Sequence, residues 1–298
     1  MKSTTIAIFF LSFTLMSVGK NLKFDYFGLK SPGEKIELFA PNIVSLKNSK
    51  EASLAISPNG DELFFSVGAS WPECKIMHVK KMNNKWTEPK VAGFSADCYS
   101  TEPAFSPDGK YLYYSSSKGM QNIKQYSIWR VEKIGNEWGN AKKVIDIADP
   151  KVWEFHPSIT KGGTVYFCYW DSLTQAGSIY KSKYAKGVYS KPEKVILPFA
   201  GQVNNTNPFV DPDEKYIIIS ANGQNSKGGY DVYISYKKKD GSWSSPINFG
   251  DKLNTKGDDD SFDISPDGRF LFMYKQDDVY WTETKGVFGS LQSVDNSK

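Results

Sequence analysis

A four-residue turn recurs along this chain at nearly even spacing, and nothing else in the sequence constrains the fold as tightly. It reads Ser57-Pro58-Asn59-Gly60, Ser106-Pro107-Asp108-Gly109, Thr160-Lys161-Gly162-Gly163, Asp211-Pro212-Asp213-Glu214 and Ser265-Pro266-Asp267-Gly268. Successive second positions lie 49, 54, 51 and 54 residues apart, the mark of one supersecondary unit repeated along the chain. A short apolar stretch precedes each turn, as in Leu54-Ala55-Ile56 and Pro208-Phe209-Val210, and an aromatic or β-branched run follows, as in Leu112-Tyr113-Tyr114 and Ile217-Ile218-Ile219. Runs of this kind bounded by Pro, Asp and Gly are strands joined by a hairpin. Proline presets φ at the second turn position, and the closing Gly supplies the positive φ that a type I turn with a bulge needs. Glu214 stands where the other four turns carry Gly, which leaves the type of the fourth turn open.

A third strand follows in each unit, starting at Lys75-Ile76, Ser127-Ile128, Ser178-Ile179, Asp231-Val232 and Asp278-Val279. A fourth is expected where a tight turn meets an aromatic: Lys85-Trp86, Glu137-Trp138, Val188-Tyr189, Ser242-Trp243 and Val287-Phe288. Four antiparallel strands per repeat predict an all-β fold, a single β-propeller of five four-stranded blades. A sixth blade is the alternative, if the N-terminal segment and Phe288 to Val294 form separate sheets. Residues 34–45, with Ile36, Leu38 and Phe39, read as an outer strand that docks beside the fifth unit and closes the ring. The repeated aromatics are expected to pack blade against blade. No linker long enough to divide residues 20–298 into two domains interrupts the repeat.

The formal charge of +4, from 37 Lys and Arg against 33 Asp and Glu, is a mild excess scattered through turns, which disfavours a nucleic-acid-binding face. Lys2 followed by the apolar run Ile6 to Val18, with small residues at Ser17 and Gly19, reads as a signal peptide over residues 1–19. The mature chain is then expected to be exported, to the periplasm or beyond and in association with the outer membrane as one variant, without a transmembrane segment and as a monomer. Export gives the three cysteines meaning. Cys74 and Cys98 fall in loops on one face of the disc and are expected to form a disulfide, whereas Cys168 sits inside a strand as a buried thiol. With His78 and His156 the only histidines, neither a metal centre nor another cofactor is expected.

The stretch Pro103 to Ser115, Pro-Ala-Phe-Ser-Pro-Asp-Gly-Lys-Tyr-Leu-Tyr-Tyr-Ser, resembles the WD-like propeller repeat of the TolB family. Gly228-Gly229-Tyr230-Asp231-Val232-Tyr233, followed by Asp240-Gly241-Ser242-Trp243, is similar to repeats of secreted Bacteroidetes proteins, some of them fused to OmpA-like peptidoglycan-binding domains. The resemblance covers residues 34 to 292 and implies a propeller fold and export. It implies no particular activity.

Five residues before each turn proline or its equivalent, the strand nearest the axis begins with Ser53, Glu102, His156, Asn207 and Ser261, all polar. In a propeller these positions ring one mouth of the central channel, and Trp153, Glu154, Trp71 and Tyr230 are expected on the same face as further ligand-binding residues. Glu51 and the run Asp258-Asp259-Asp260 lie nearby. Glu102 and His156 are read here as surface groups whose replacement leaves the fold intact. Two functions compete: a binding or scaffold module for an envelope protein or glycan, and a glycoside hydrolase or polysaccharide lyase using carboxylates at the mouth. No acid, base and orienting group stand at a recognisable spacing, so no catalytic residue is named and binding is favoured. A peptidase is excluded, since no Gly-x-Ser-x-Gly motif occurs in the sequence.

Overall fold

Each repeat forms an antiparallel sheet in which successive strands step outward from a common axis. The computed structural model describes residues 25–70, 73–120, 125–145, 147 and 149–288. The proposed signal peptide and Trp71 lie outside the described residues. Blade 1 contains Lys50–Ile56, Glu62–Gly68 and Cys74–Met82, with Lys85–Trp86 and Lys90–Val91 both pairing with its third strand. Blade 2 contains Ser100–Phe105, Tyr111–Ser116, Ser127–Ile134 and Glu137–Lys143. Blade 3 contains Val152–Ile159, Val165–Asp171, Ala176–Ser182 and Glu193–Lys194, and blade 4 contains Asn205–Val210, Tyr216–Ala221, Asp231–Tyr236 and Ile247–Asn248. Blade 5 is built from Phe262–Ile264, Phe270–Lys275 and Asp278–Glu283, and its outer strand is the distant segment Glu37–Leu38, in the register Glu37 to Trp281 and Leu38 to Tyr280. The inner strands touch in sequence around the axis, blade 5 returning to blade 1, so the ring is closed with five blades.

The five turns share one geometry. The fourth residue donates its N–H to the carbonyl of the first in every unit, at 2.7 to 2.9 Å, with φ between 55° and 78°. Glu214 adopts the same left-handed conformation as the four glycines, at φ 55°. Its carboxylate accepts the Tyr166 hydroxyl at 2.5 Å, which offsets the backbone strain of roughly 1–2 kcal/mol.

Outer strands depart from expectation in three units. In blade 3, Val188–Tyr189 pairs with Tyr184–Ala185 as a small separate hairpin, and the outer strand comes later at Glu193–Lys194. Trp243 in blade 4 makes only an isolated bridge with Lys237. Residues 284 to 288 are helical, so the strand expected at Val287-Phe288 is absent there and Glu37–Leu38 takes that place. Middle strands have neighbours on both sheet faces, and they are therefore apolar almost throughout. Five hydrophobic clusters follow, one at each seam between blades.

Candidate functional site

The polar ring at the channel mouth is made by a backbone bulge repeated from blade to blade. The register between inner and second strands shifts between Glu51 and Leu54, Thr101 and Ala104, Phe155 and Ser158, and Thr206 and Phe209. Glu102, His156, Asn207 and Ser261 sit at these bulges or at the matching position of blade 5, with φ of 49° to 57°. A bulge lets an extra residue turn out of the ladder and re-aims its side chain. Three of the four precede a proline, a residue without an N–H to give to the ladder, and proline inside a strand is a sequence signal for a bulge.

The freed backbone groups are caught by the neighbouring blade. The Glu102 N–H donates to Ser53 Oγ at 3.0 Å and Ser66 Oγ at 3.1 Å, and the His156 N–H to Glu102 Oε2 at 2.7 Å and Ser115 Oγ at 3.0 Å. The Asn207 N–H is directed at the buried thiol of Cys168, and the Asn207 side-chain amide donates to Ser261 Oγ at 3.0 Å. Ser220 Oγ donates to the Asp259 carbonyl at 3.3 Å, and the Leu54 N–H donates to the Tyr274 hydroxyl at 2.5 Å. Ser66, Ser115, Cys168, Ser220 and Tyr274 occupy one equivalent second-strand position, and each seam is crossed there: by the N–H of the ring residue at the first three, by the Ser220 hydroxyl at the fourth and by the Leu54 N–H at the fifth.

Charge concentrates around this ring. Burial pulls His156 down, but the adjacent Glu102, at 3.6 Å from Nδ1, together with Asp263 and Asp260, overrides burial and holds its pKa above the ordinary value. Asp263, bonded by the Tyr274 hydroxyl at 2.8 Å, is pushed up to about 7 by burial, against the opposing pull of His156. Asp260 is pushed to about 6 by the surrounding protein and then by Asp258. Glu51 rises to about 7 through burial, despite bonds from Ser49 and the Leu46 N–H.

Glu51, Glu102 and Asp260 open on a recess of about 640 Å³, whereas Asp263 lines a separate recess on the side of the Ser-Pro-Asp-Gly turns. Glu51, Glu102, Asp258 and Asp260 line it, as do Trp153, Phe155, Trp170 and Tyr230. Trp153 and Trp170 are cross-strand partners in blade 3 and therefore share a sheet face. Tyr230 and Asp258 are held by a glycine loop: the Tyr230 N–H donates to Asp258 Oδ1 at 2.9 Å, and a Cβ on Gly229 would lie 2.1 Å from that oxygen. A Cβ on Gly228 would lie 2.0 Å from the Gly257 carbonyl oxygen. Lys275 lines the recess, but its ammonium is engaged by Asp259 Oδ1 at 2.8 Å and the Leu253 carbonyl at 2.6 Å. The lining is thus acidic and aromatic.

Of the residues singled out in the sequence, Glu102, Asn207, Ser261, Trp153 and Tyr230 meet at this recess. Ser53 and His156 lie buried beneath it in the bonding ring. Glu154 does not belong there. It is buried at the seam of blades 2 and 3, where Oε1 accepts the Ile147 N–H at 2.9 Å, and burial pushes it up to about 7. Glu102 and His156, at 9% and 4% exposure, are not surface groups but joints between blades. Phe155, Trp170 and Tyr274 also line the recess and carry no sequence signal for it, because strand aromatics read as packing residues.

Cys74 and Cys98 are free thiols, so the expected bridge is not formed in this structure. Cys74 Sγ turns to the Ser70 carbonyl, and Cys98 Sγ to the Phe94 carbonyl and Ser100 Oγ. Burial pushes the Cys74 thiol up to about 11. Among the described residues, no cluster of His, Cys, Asp and Glu has a metal-binding arrangement. No helix among them is long and apolar enough to cross a membrane.

Fold and recess together define the molecule as a five-bladed β-propeller with a ligand-sized mouth. No family profile and no curated protein matches the chain by sequence. Similar solved structures include TolB from Acinetobacter baumannii, at 17% identity and TM-score 0.49 over 75% of this chain and 48% of that one. A protein of unknown function from Dyadobacter fermentans is similar at 15% identity and TM-score 0.51, over 80% and 78% of the two chains. The endo-arabinase from Bacteroides thetaiotaomicron is similar at 15% identity and TM-score 0.51, over 80% and 94%. The chain spans about half the length of the TolB structure. At these identities the likeness is one of fold.

Proposed function

We propose that this propeller is a binding module of the cell envelope that takes a glycan at the acidic, aromatic mouth of its channel. The observation that carries the reading is the lining of one recess: flat apolar faces from Trp153, Trp170, Phe155 and Tyr230 beside carboxylate acceptors from Glu51, Glu102, Asp258 and Asp260. Sugar rings offer C–H faces to aromatics and hydroxyl donors to carboxylates, and about 640 Å³ suits one or two sugar units. An envelope protein, the alternative partner, suits a flat surface better than a concave recess. Export by residues 1–19 and action as a monomer are part of the proposal.

A second reading, glycoside hydrolysis, draws on one specific observation. Asp260, raised to about 6, keeps its proton in mildly acidic solution beside the Asp258 carboxylate, as a general acid does beside its partner. One experiment separates the two. The mature protein is titrated calorimetrically with soluble polysaccharides and the mixtures are assayed for new reducing ends. Binding weakened by Trp153→Ala, without new reducing ends, supports the module; reducing ends that disappear with Asp260→Asn replace it by the hydrolase. Absence of heat with every polysaccharide removes the glycan reading.

A further inference from the structure

Far from the channel, at the outer seam of blades 3 and 4, a cleft of about 330 Å³ is lined by Lys181, Lys194, Lys237 and Lys238. Lys181 lies on the third strand of blade 3 and Lys194 on its outer strand, while Lys237 and Lys238 follow the third strand of blade 4. The neighbouring blades therefore bring together four ammoniums that are distant in sequence. None of the four makes an ion pair within 4 Å among the described residues.

The carboxylates nearby among the described residues form no ion pair with these lysines. Glu214 accepts the Tyr166 hydroxyl, Asp240 accepts the N–H and hydroxyl of Ser242, and Glu193 sits across from Lys181 in strand register without pairing. Trp243, buried against Lys237 with the ammonium 4.3 Å from the ring centre, fixes the position of that side chain. Ile196 and Pro198 complete the wall. The crowding has an electrostatic signature: partial burial lowers the pKa of Lys237, the Glu214 carboxylate opposes it, and Lys181 and Lys183 lower it further. Convergent like charges in a concave site focus potential and favour an anion that spans them.

We infer that this cleft binds an oxyanion, a phosphate or sulfate group, through Lys181, Lys194, Lys237 and Lys238. The group is either a free anion or a substituent on a sugar chain, and the site operates independently of the channel mouth. Dextran sulfate, inorganic phosphate and uncharged dextran serve as probes against the full chain at low salt. Dextran sulfate is expected to bind and uncharged dextran not to, with affinity about tenfold lower in Lys194→Gln/Lys237→Gln. Displacement of the polymer by inorganic phosphate would assign the cleft to a lone oxyanion, and its retention to an oxyanion carried on a chain.

Lys194→Gln/Lys238→Gln, which changes only exposed side chains, is the second variant should loss of Lys237 disturb the packing on Trp243. Wild-type affinity in both double variants overturns the proposal. So does equal binding of duplex DNA with the same lysine dependence, since the cleft would then be part of a general polyanion surface. Trp153→Ala should leave dextran sulfate binding unchanged, which keeps this result separate from the glycan reading of the mouth.

Discussion

Cys168 shows how a single atom type holds the ring. It occupies the position that Ser66, Ser115 and Ser220 hold in other blades, and its sulfur faces the Asn207 N–H at the seam of blades 3 and 4. Cys168→Ser supplies an equivalent acceptor and should change stability by less than about 1 kcal/mol, whereas Cys168→Val leaves a buried N–H unpaired and should cost about 1–3 kcal/mol. Urea denaturation of both variants checks this, and equal stabilities would mean that the sulfur merely fills space. Asp263 contributes to the pH dependence, with the same sign as the raised carboxyls of Glu51, Glu154 and Asp260. Its folded-state pKa of about 7 lies above the ordinary 3.8, so its contribution is fully present below pH 4 and is lost as pH rises through 7. His156, also raised, acts with the same sign across neutral pH. Asp263→Asn, which keeps an acceptor for the Tyr274 hydroxyl, should therefore raise the melting temperature at pH 8 relative to wild type and leave it unchanged near pH 4. A uniform shift at both values would remove Asp263 from the titration.

At the scale of elements, the repeat made the hairpins legible because turn chemistry is local. Pro, Asp and Gly at fixed offsets need no tertiary partner to act. Outer strands were less legible because they are short and only half covered: the aromatic of Val188–Tyr189 closes its own hairpin, and the outer strand of blade 3 is the unremarkable Glu193–Lys194. Five of the nine residues expected from the sequence to bind a ligand line the recess because equivalent positions converge on an axis. Glu154 lies away from the recess although it is only two residues from His156, since the bulge between Phe155 and Ser158 changes which side chains turn to the axis. The glycine loop at Gly228-Gly229 is an element whose role emerges only in three dimensions. Gly228→Ala would drive a Cβ into the Gly257 carbonyl and should cost about 2 kcal/mol or more, because backbone must move. Gly229→Ala meets the movable Asp258 carboxylate instead. It should leave melting nearly unchanged while weakening capture at the mouth severalfold, and a thermal scan beside a binding titration distinguishes the two effects.

Across the whole molecule, stability depends on one seam more than on the other four. Four seams join blades consecutive in sequence, but the seam of blades 5 and 1 joins the two ends of the repeat. The N-terminal segment seals it. Tyr26, Phe39, Ala40 and Val44 enter the cluster shared by blades 1 and 5, Tyr26 donates to Asp267 at 2.9 Å, and Asp25 bonds Lys81 and the Trp86 indole. The pairing of Glu37–Leu38 also covers the edge of Asp278–Glu283, an open template for association when bare. Phe39 carries most of this seal, being 0% exposed, with ring centroids 4.9 Å from Phe272 and 5.2 Å from Trp281. Truncating a buried Phe costs about 3–5 kcal/mol, a large share of the roughly 5–15 kcal/mol that holds a domain folded. Phe39→Ala should thus lower the melting temperature by about 6–20 °C at the usual conversion for a domain of this size. Leu38→Ala, at an exposed position on the same strand, should lower it by about 4 °C at most. Deleting residues 25–45 removes the cluster and bares the edge together, so the protein should be recovered as aggregate. A soluble truncated chain melting within about 2 °C of wild type would show that the inner-strand bonds, Leu54 to Tyr274 among them, close the ring without the segment.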